Sequence, residues 1–298
     1  MFASNEEAFE VTDVEVISGD VFEDDIPVAE SSSRRRRRCR SKKSNTKEFR
    51  YVLRFLNIMA CILHTASAVA IFLFADYTKQ QYTIFTAYPE FDPTLVSGTD
   101  YLNTKELFPM SVGLLCTIML FVSALNHFIA CTMGTYKRQI ASGYSYLRWI
   151  EYSVSVSLIK VTTGMLCGVR DAQMLLPIFG LSVITMMLGL TFELRNSVAI
   201  NYQRMKLNWS EYWLMNVTLV FSWITILTYF VVNFRNFSRD YLKILIPLVF
   251  VLDLGMSVVL GLTWKFRDSV NYACGEIGFI VLSLLSKNLL AWITFHAE

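Results

Sequence analysis

A seven-helix membrane protein, all-α apart from a small β-hairpin in the first outer loop, is the fold that this sequence predicts. Three observations carry it. Of the 298 residues, 54% are hydrophobic and 17% charged, whereas a soluble chain of ordinary composition carries about 25% charge. Seven apolar runs follow one another, each of about 20 residues or more, which is enough to cross a hydrocarbon core of about 30 Å. The last run holds a lysine, Lys287, in the string Ile280-Val-Leu-Ser-Leu-Leu-Ser-Lys-Asn-Leu-Leu-Ala-Trp292.

Residues 1–50 precede the first run and have no apolar periodicity with which to fold, so they predict a disordered tail. Its first part is acidic, with Glu6, Glu7, Asp24 and Asp25 and no Lys or Arg before Arg34. Arg34 to Arg38, Arg40, Lys42, Lys43, Lys47 and Arg50 then make a basic block, suited to anionic lipid head groups at the inner leaflet. No cleavable leader is expected, because the basic block follows the acidic one and no small-residue cleavage site follows the first run. The runs of the seven-helix domain, 51–298, lie near 51–75, 108–134, 147–168, 172–194, 209–233, 241–264 and 271–295. In the fourth, Pro177 stands near the start, where a missing N–H costs little. The connection from Asp76 to Glu106 is the long one, and its segment Gln81-Tyr-Thr-Ile-Phe-Thr-Ala-Tyr88 predicts a hairpin-like cap.

Orientation follows from the basic residues beside the spans. The tail block decides it: N-terminus cytoplasmic, C-terminus extracellular. The six cysteines lie almost all in apolar runs without paired spacing, so they read as small buried hydrophobes rather than disulfides or metal ligands. No metal site, phosphate loop or nucleophile elbow is present in the sequence, and no enzymatic activity or nucleic-acid partner is expected.

The chemistry lies in the charges inside the runs. A lysine near the centre of a bilayer costs roughly 2.5–3.5 kcal/mol on insertion scales. Near a span end it would snorkel, but Lys287 stands only about 5 Å from the middle of its run at 1.5 Å per residue. Held among apolar groups, such an amine is a nucleophile suited to an imine with an aldehyde. The cation so formed needs an anion, worth about 4 kcal/mol at 4 Å and an effective dielectric of 20. Glu151, about one turn into the third span, is the best placed. Ser155 shares its face, and Ser283 shares that of Lys287, each at i, i+4. Glu276 lies eleven residues before Lys287, about 16 Å away, too far for a counterion. Asp253, flanked by Leu252 and Leu254, is read as protonated or bonded to a neighbouring helix. Lys160 is expected to snorkel outward. His64 and His127, the intramembrane histidines, are candidates for proton exchange with the carboxylate and the lysine.

Two strings, Trp149-Ile-Glu-Tyr-Ser-Val-Ser-Val-Ser157 and Val281-Leu-Ser-Leu-Leu-Ser-Lys287, together with the inward basic N-terminus, resemble the heliorhodopsins over about residues 51–296. That resemblance implies a rhodopsin-like bundle, inverted relative to the microbial pumps, with a hairpin outer loop and a homodimer. It implies all-trans retinal bound to Lys287 as a protonated Schiff base, with Glu151 as counterion and Ser283 standing where pumps have an aspartate. His64 and His127 match the family's pocket histidines. Ser182, Met186 and Gly189 on the fourth span are expected beside retinal. Asp253 matches no family motif.

The function expected from this resemblance is light sensing with a signalling or regulatory output, through a cytoplasmic partner that the sequence does not identify. The alternative is a light-gated proton or ion channel through the same pocket, with Asp253 and Glu276 on the ion path. A hormone-type receptor is disfavoured, since Asp-Arg-Tyr does not follow the third span and Asn-Pro-x-x-Tyr is missing from the seventh. A carrier would show repeated halves, and none is recognisable.

Overall fold

The structure is a computed structural model, and it describes residues 31–77, 81–91, 100–201, 206–237, 239–267 and 272–296. Their elements run α1 (Ser31–Phe74), β1 (Gln81–Phe91), β2 (Asp100–Ser111), α2 (Val112–Thr132), α3 (Gly134–Ser142), α4 (Tyr146–Cys167), α5 (Ala172–Asn201), α6 (Ser210–Asn233), α7 (Leu242–Lys265) and α8 (Tyr272–His296). Residues 46–298 form one compact unit and 1–45 another.

The helix α1 begins at Ser31, twenty residues before the expected span, so the basic block is helical rather than unstructured. Arg and Lys are good helix formers, and no Gly or Pro between 31 and 50 interrupts them. The acidic part of the expected tail lies outside the described residues. The hairpin is present and longer than its first strand suggested: β1 and β2 pair antiparallel from Gln81↔Ser111 to Phe91↔Asp100, with an irregularity between Ile84 and Phe85. It is docked on the bundle at that point. Ile84 is buried in the core, Phe85 N–H donates to the Arg170 carbonyl at 3.1 Å, and the Arg170 guanidinium lies 4.3 Å from the Tyr82 ring. Asp92-Pro93, which bounds the predicted hairpin segment in the sequence, lies outside the described residues.

Among the described residues, six helices are long and apolar enough to cross a membrane: 51–74, 112–132, 172–199, 210–233, 242–265 and 272–296. The expectation of seven spans is thus met for six. The third predicted run is present as α4, a 22-residue helix, but it carries Arg148, Glu151 and Lys160 and is not among the six. The physical reason is its position. From Ser155 to Cys167 nearly every side chain of α4 is buried, so the helix meets protein where the others meet lipid, and it need not be apolar. Ser145 caps its first turn by accepting from Arg148 N–H, and Gly168, at φ +103°, ends it in a left-handed turn that favours glycine.

The apolar core comes in two main parts, and the helices cross from one to the other. One part holds Ile159, Met165, Ile178, Leu219, Trp223, Val249 and Leu290. The other holds Trp149, Tyr152, Val156, Met186, Met215, Met256 and Phe279. On α5 the crossing is at Ser182, on α7 at Asp253, and on α8 at Ser283 and Lys287. A polar layer therefore runs across the middle of the bundle, and Lys287 lies in it.

Candidate functional site

Lys287 and Glu151 meet in this interior. The ammonium Nζ lies 2.5 Å from the Glu151 Oε1, and neither side chain is more than 3% exposed. Ser123 on α2 donates to the same carboxylate oxygen at 2.6 Å. The ammonium also lies 4.9 Å from the Tyr152 ring centroid, a cation–π distance, and the Tyr152 hydroxyl is fixed by donation to the Phe279 carbonyl at 2.8 Å. α4 and α8 are thereby joined across the layer by one ion pair. Ser155 and Ser283, expected to bond these charges, are both buried beside them, Ser155 by the Glu151 carboxylate and Ser283 by the Tyr152 hydroxyl, though neither hydroxyl oxygen reaches a partner in full hydrogen-bond geometry. Ser157 instead bonds back to the Ser153 carbonyl.

His64 and His127 stack beside the pair, with ring centroids 5.6 Å apart and planes at 15°. His127 Nδ1 is 2.8 Å from Asn57 Oδ1, while Asn288, next to Lys287 in the chain, lies 3.3 Å from His64 Nδ1. The polar chain continues away from the layer. Asn57 reaches the Tyr136 hydroxyl at 3.5 Å, and that hydroxyl donates to Glu276 at 3.1 Å. Burial holds the Tyr136 hydroxyl well above the usual tyrosine range, so it serves as a neutral donor.

Glu276, expected on an ion path in the channel reading, is paired with Arg148. The same guanidinium is 2.5 Å from Glu193 and lies 4.0 Å from the Phe279 ring centroid. Glu193 also accepts from Trp149 Nε1 at 2.7 Å, the Tyr272 hydroxyl at 2.9 Å and Ser145 N–H at 3.2 Å. Arg148 therefore ties α4, α5 and α8 together at the start of α4. Its sequence position, one residue into the predicted span, suggested a loop residue. In the fold it is buried.

The structure also corrects the reading of Lys160. It does not snorkel: it is fully buried, 3.0 Å from Asp253 on α7, and donates to Ser222 on α6 at 2.8 Å. Asp253 is thus neither alone nor bonded to one neighbour only, for Trp223 Nε1 donates at 2.6 Å to Oδ2, the same oxygen that faces Lys160. On α5, Ser182 bonds back to the Ile178 carbonyl, Met186 is buried in the second core part, and a Cβ at Gly189 would fall 2.3 Å from the Trp149 ring. Gly189 is what lets that ring lie against α5. Sequence reasoning missed Ser123, Tyr152, Asn57, Tyr136 and Arg148 as members of the site, and Glu193, a candidate acid by its place at a span end, pairs with Arg148 rather than with Lys287. For Arg148 a signal existed, since it precedes Glu151 by three residues and so shares its face.

These residues fit an aldehyde-derived chromophore on Lys287. An imine that keeps its proton leaves the positive charge beside Glu151, so the carboxylate does not lose its partner. Glu151 Oε2, Ser155 Oγ, Ser283 Oγ and His64 Nε2 are buried polar atoms without hydrogen-bond partners. Buried groups of this kind are ordinarily satisfied, and four of them gather around the one amine.

Comparisons with known proteins bear on the family and the fold. The family model described as Heliorhodopsin matches residues 53–298. No curated protein matches the chain. Among solved structures, a light-driven proton pump from Leptosphaeria maculans is similar at 14% identity and a TM-score of 0.57, covering 82% of this chain and 94% of that one. The light-driven proton pump Coccomyxa subellipsoidea rhodopsin aligns at 14% identity and 0.54, covering 83% and 96%. Exiguobacterium sibiricum rhodopsin aligns at 12% and 0.56, covering 83% and 97%. At such identities the likeness shows the fold alone.

Proposed function

The chain belongs to the heliorhodopsin family, and from that premise we propose that it is a light-sensing retinal protein, signalling or regulatory rather than pumping. The observation that carries the reading is the buried Lys287–Glu151 pair at 2.5 Å. All-trans retinal, attached through Lys287, supplies the absorption of visible light and the change of shape that follows. The protein's own part is electrostatic. Glu151, held by Ser123, balances the positive charge at the Lys287 nitrogen, and Tyr152 presents its ring face to the same charge. A proton leaving that nitrogen has Glu151 and the stacked imidazoles of His64 and His127 beside it. Membership in the family, the basic N-terminal block and the lipid-facing helices support a receptor embedded in the bilayer, N-terminus cytoplasmic, working as a homodimer without enzymatic turnover.

Glu151→Gln is expected to move the visible band to the red while the nitrogen stays protonated. Excitation carries positive charge away from the nitrogen, so the anion beside it stabilises the ground state more than the excited state. An unmoved band in Glu151→Gln, recorded on purified pigment, would remove Glu151 from the counterion role.

The side toward the start of α4 is closed by Arg148, paired with Glu193 and Glu276. Beyond the layer on the opposite side lie the apolar residues Ile159, Met165, Leu219 and Val249, and the second acid of the layer, Asp253, is held by Lys160. A pump needs exchangeable groups on both sides of the nitrogen. Ser283, one turn before Lys287, cannot take up a proton at physiological pH. Illumination of cells held at zero driving force is therefore expected to give no sustained current. Steady current under those conditions contradicts the non-pumping reading. A current that reverses with the proton gradient and vanishes in Asp253→Asn would support the light-gated channel instead.

A further inference from the structure

Among the described residues two buried lysines, Lys160 and Lys287, stand on the interior of this bundle, and each has a carboxylate. The second pair takes no part in attaching the chromophore or in balancing the charge at Lys287. Lys160 and Asp253 lie 3.0 Å apart at 0% and 5% side-chain exposure, with Ser222 accepting from the ammonium and Trp223 donating to the carboxylate. A buried pair is poor value as a structural device: well-packed apolar residues of the same volume are often as stabilising or more so, because both charges must be stripped of water. Its place in the fold is informative. Glu151 and Lys160 are nine residues apart on α4, about two and a half turns, so they project from opposite faces of that helix. Glu151 faces α2 and α8, through Ser123 and Lys287. Lys160 faces α6 and α7, through Ser222 and Asp253. Asp253 itself stands at the crossing between the two apolar core parts, with Val249 in one and Met256 in the other, as Ser283 and Lys287 do on α8. The layer that carries Lys287 at one side carries the Asp253 carboxylate at the other, and Lys160 reaches that carboxylate from beyond the layer.

We infer that the Lys160–Asp253 pair is a second charged element of the chromophore layer, one that sets the colour of the pigment from the end of the conjugated chain remote from Lys287. The inference rests on the retinal reading. Its physics is the counterpart of the Glu151 effect. Excitation moves positive charge away from the Lys287 nitrogen, so an anion at the remote end stabilises the excited state more and shifts absorption to the red. Lys160 holds that anion in place, and Trp223 and Ser222 fix the geometry.

The test is the absorption and resonance Raman spectrum of purified pigment carrying Asp253→Asn. A blue shift is expected, the opposite of the shift in Glu151→Gln, with the C=N stretch and its change in heavy water as in wild type. Because an unpaired Lys160 can disturb folding, the double variant Lys160→Met/Asp253→Leu is measured beside it and is also expected to be blue-shifted. A readout free of retinal accompanies these. In the unpigmented protein Asp253→Asn is expected to alter Trp223 emission, identified by its loss in Trp223→Phe, since the indole N–H loses its carboxylate acceptor. An unmoved or red-shifted band in both variants overturns the inference while leaving Lys287 and Glu151 in their roles. A moved C=N stretch overturns it too, because the effect would then be local to the nitrogen. Failure of the wild-type protein to form any visible band overturns the retinal reading and this inference with it.

Discussion

Lys287→Ala is expected to give a folded protein that forms no visible band when retinal is added. The amine is the one group in the interior placed both to form an imine and to leave its charge against Glu151. Truncating it removes the bond and strands the carboxylate, which retains neutral hydroxyl neighbours such as Ser123 but no cation. Breaking a buried pair from one side costs about 3–5 kcal/mol, much of it the penalty of the charge left behind. Lys287→Ala/Glu151→Gln takes both charges away and separates loss of colour from loss of fold. Size-exclusion behaviour of the unpigmented variants reads the fold, and the visible spectrum reads the bond. A band that persists and survives denaturation would mean a different attachment point, and Lys160 is the other buried amine to which it would point.

Arg148→Met is expected to be the most destabilising single change in the bundle. Arg148 neutralises two buried carboxylates, Glu193 on α5 and Glu276 on α8, and its guanidinium is stacked on Phe279. Without it, Glu193 keeps Trp149, Tyr272 and Ser145 as donors, but Glu276 keeps Tyr136. Losing one partner of a buried pair costs about 3–5 kcal/mol, which lowers the melting temperature by on the order of 10 °C for a domain of this size. Arg148→Met/Glu193→Gln/Glu276→Gln, which leaves no buried net charge there, should recover most of the loss. Thermal unfolding followed by tryptophan fluorescence measures both. If Arg148→Met melts with wild type, the cluster is not what holds the start of α4 to α5 and α8.

Much of this was legible in the sequence for one reason: a charge inside an apolar run is conspicuous. Lys287 and Glu151 could be paired on that ground, and the structure brings them together. The six apolar spans were legible by length, and the hairpin by its aromatic and β-branched first strand. What was not legible depends on neighbours. Lys160 lies toward the end of its run, and in one dimension that position reads as snorkelling. It is buried because α4 is enclosed by protein at that level, with Asp253 of α7 alongside. Ser123 and Asn57 are polar residues of ordinary type in their spans, and only the packing of α2 and α1 against the site gives them partners. Arg148, one residue into its run, reads in one dimension as an interfacial residue, whereas Glu193 of α5 and Glu276 of α8 hold it inside the bundle. The start of α1 was misplaced by asking for apolar periodicity where basic residues sustain a helix by propensity alone.

The central claim is that Lys287 is where the chromophore is attached. Retinal added to the membrane-embedded protein, followed by borohydride reduction, proteolysis and mass spectrometry, tests it without reference to colour or activity. The account predicts a single retinyl adduct, on the peptide that contains Lys287. An adduct on the peptide that contains Lys160, or no adduct at all on a folded protein, would contradict it.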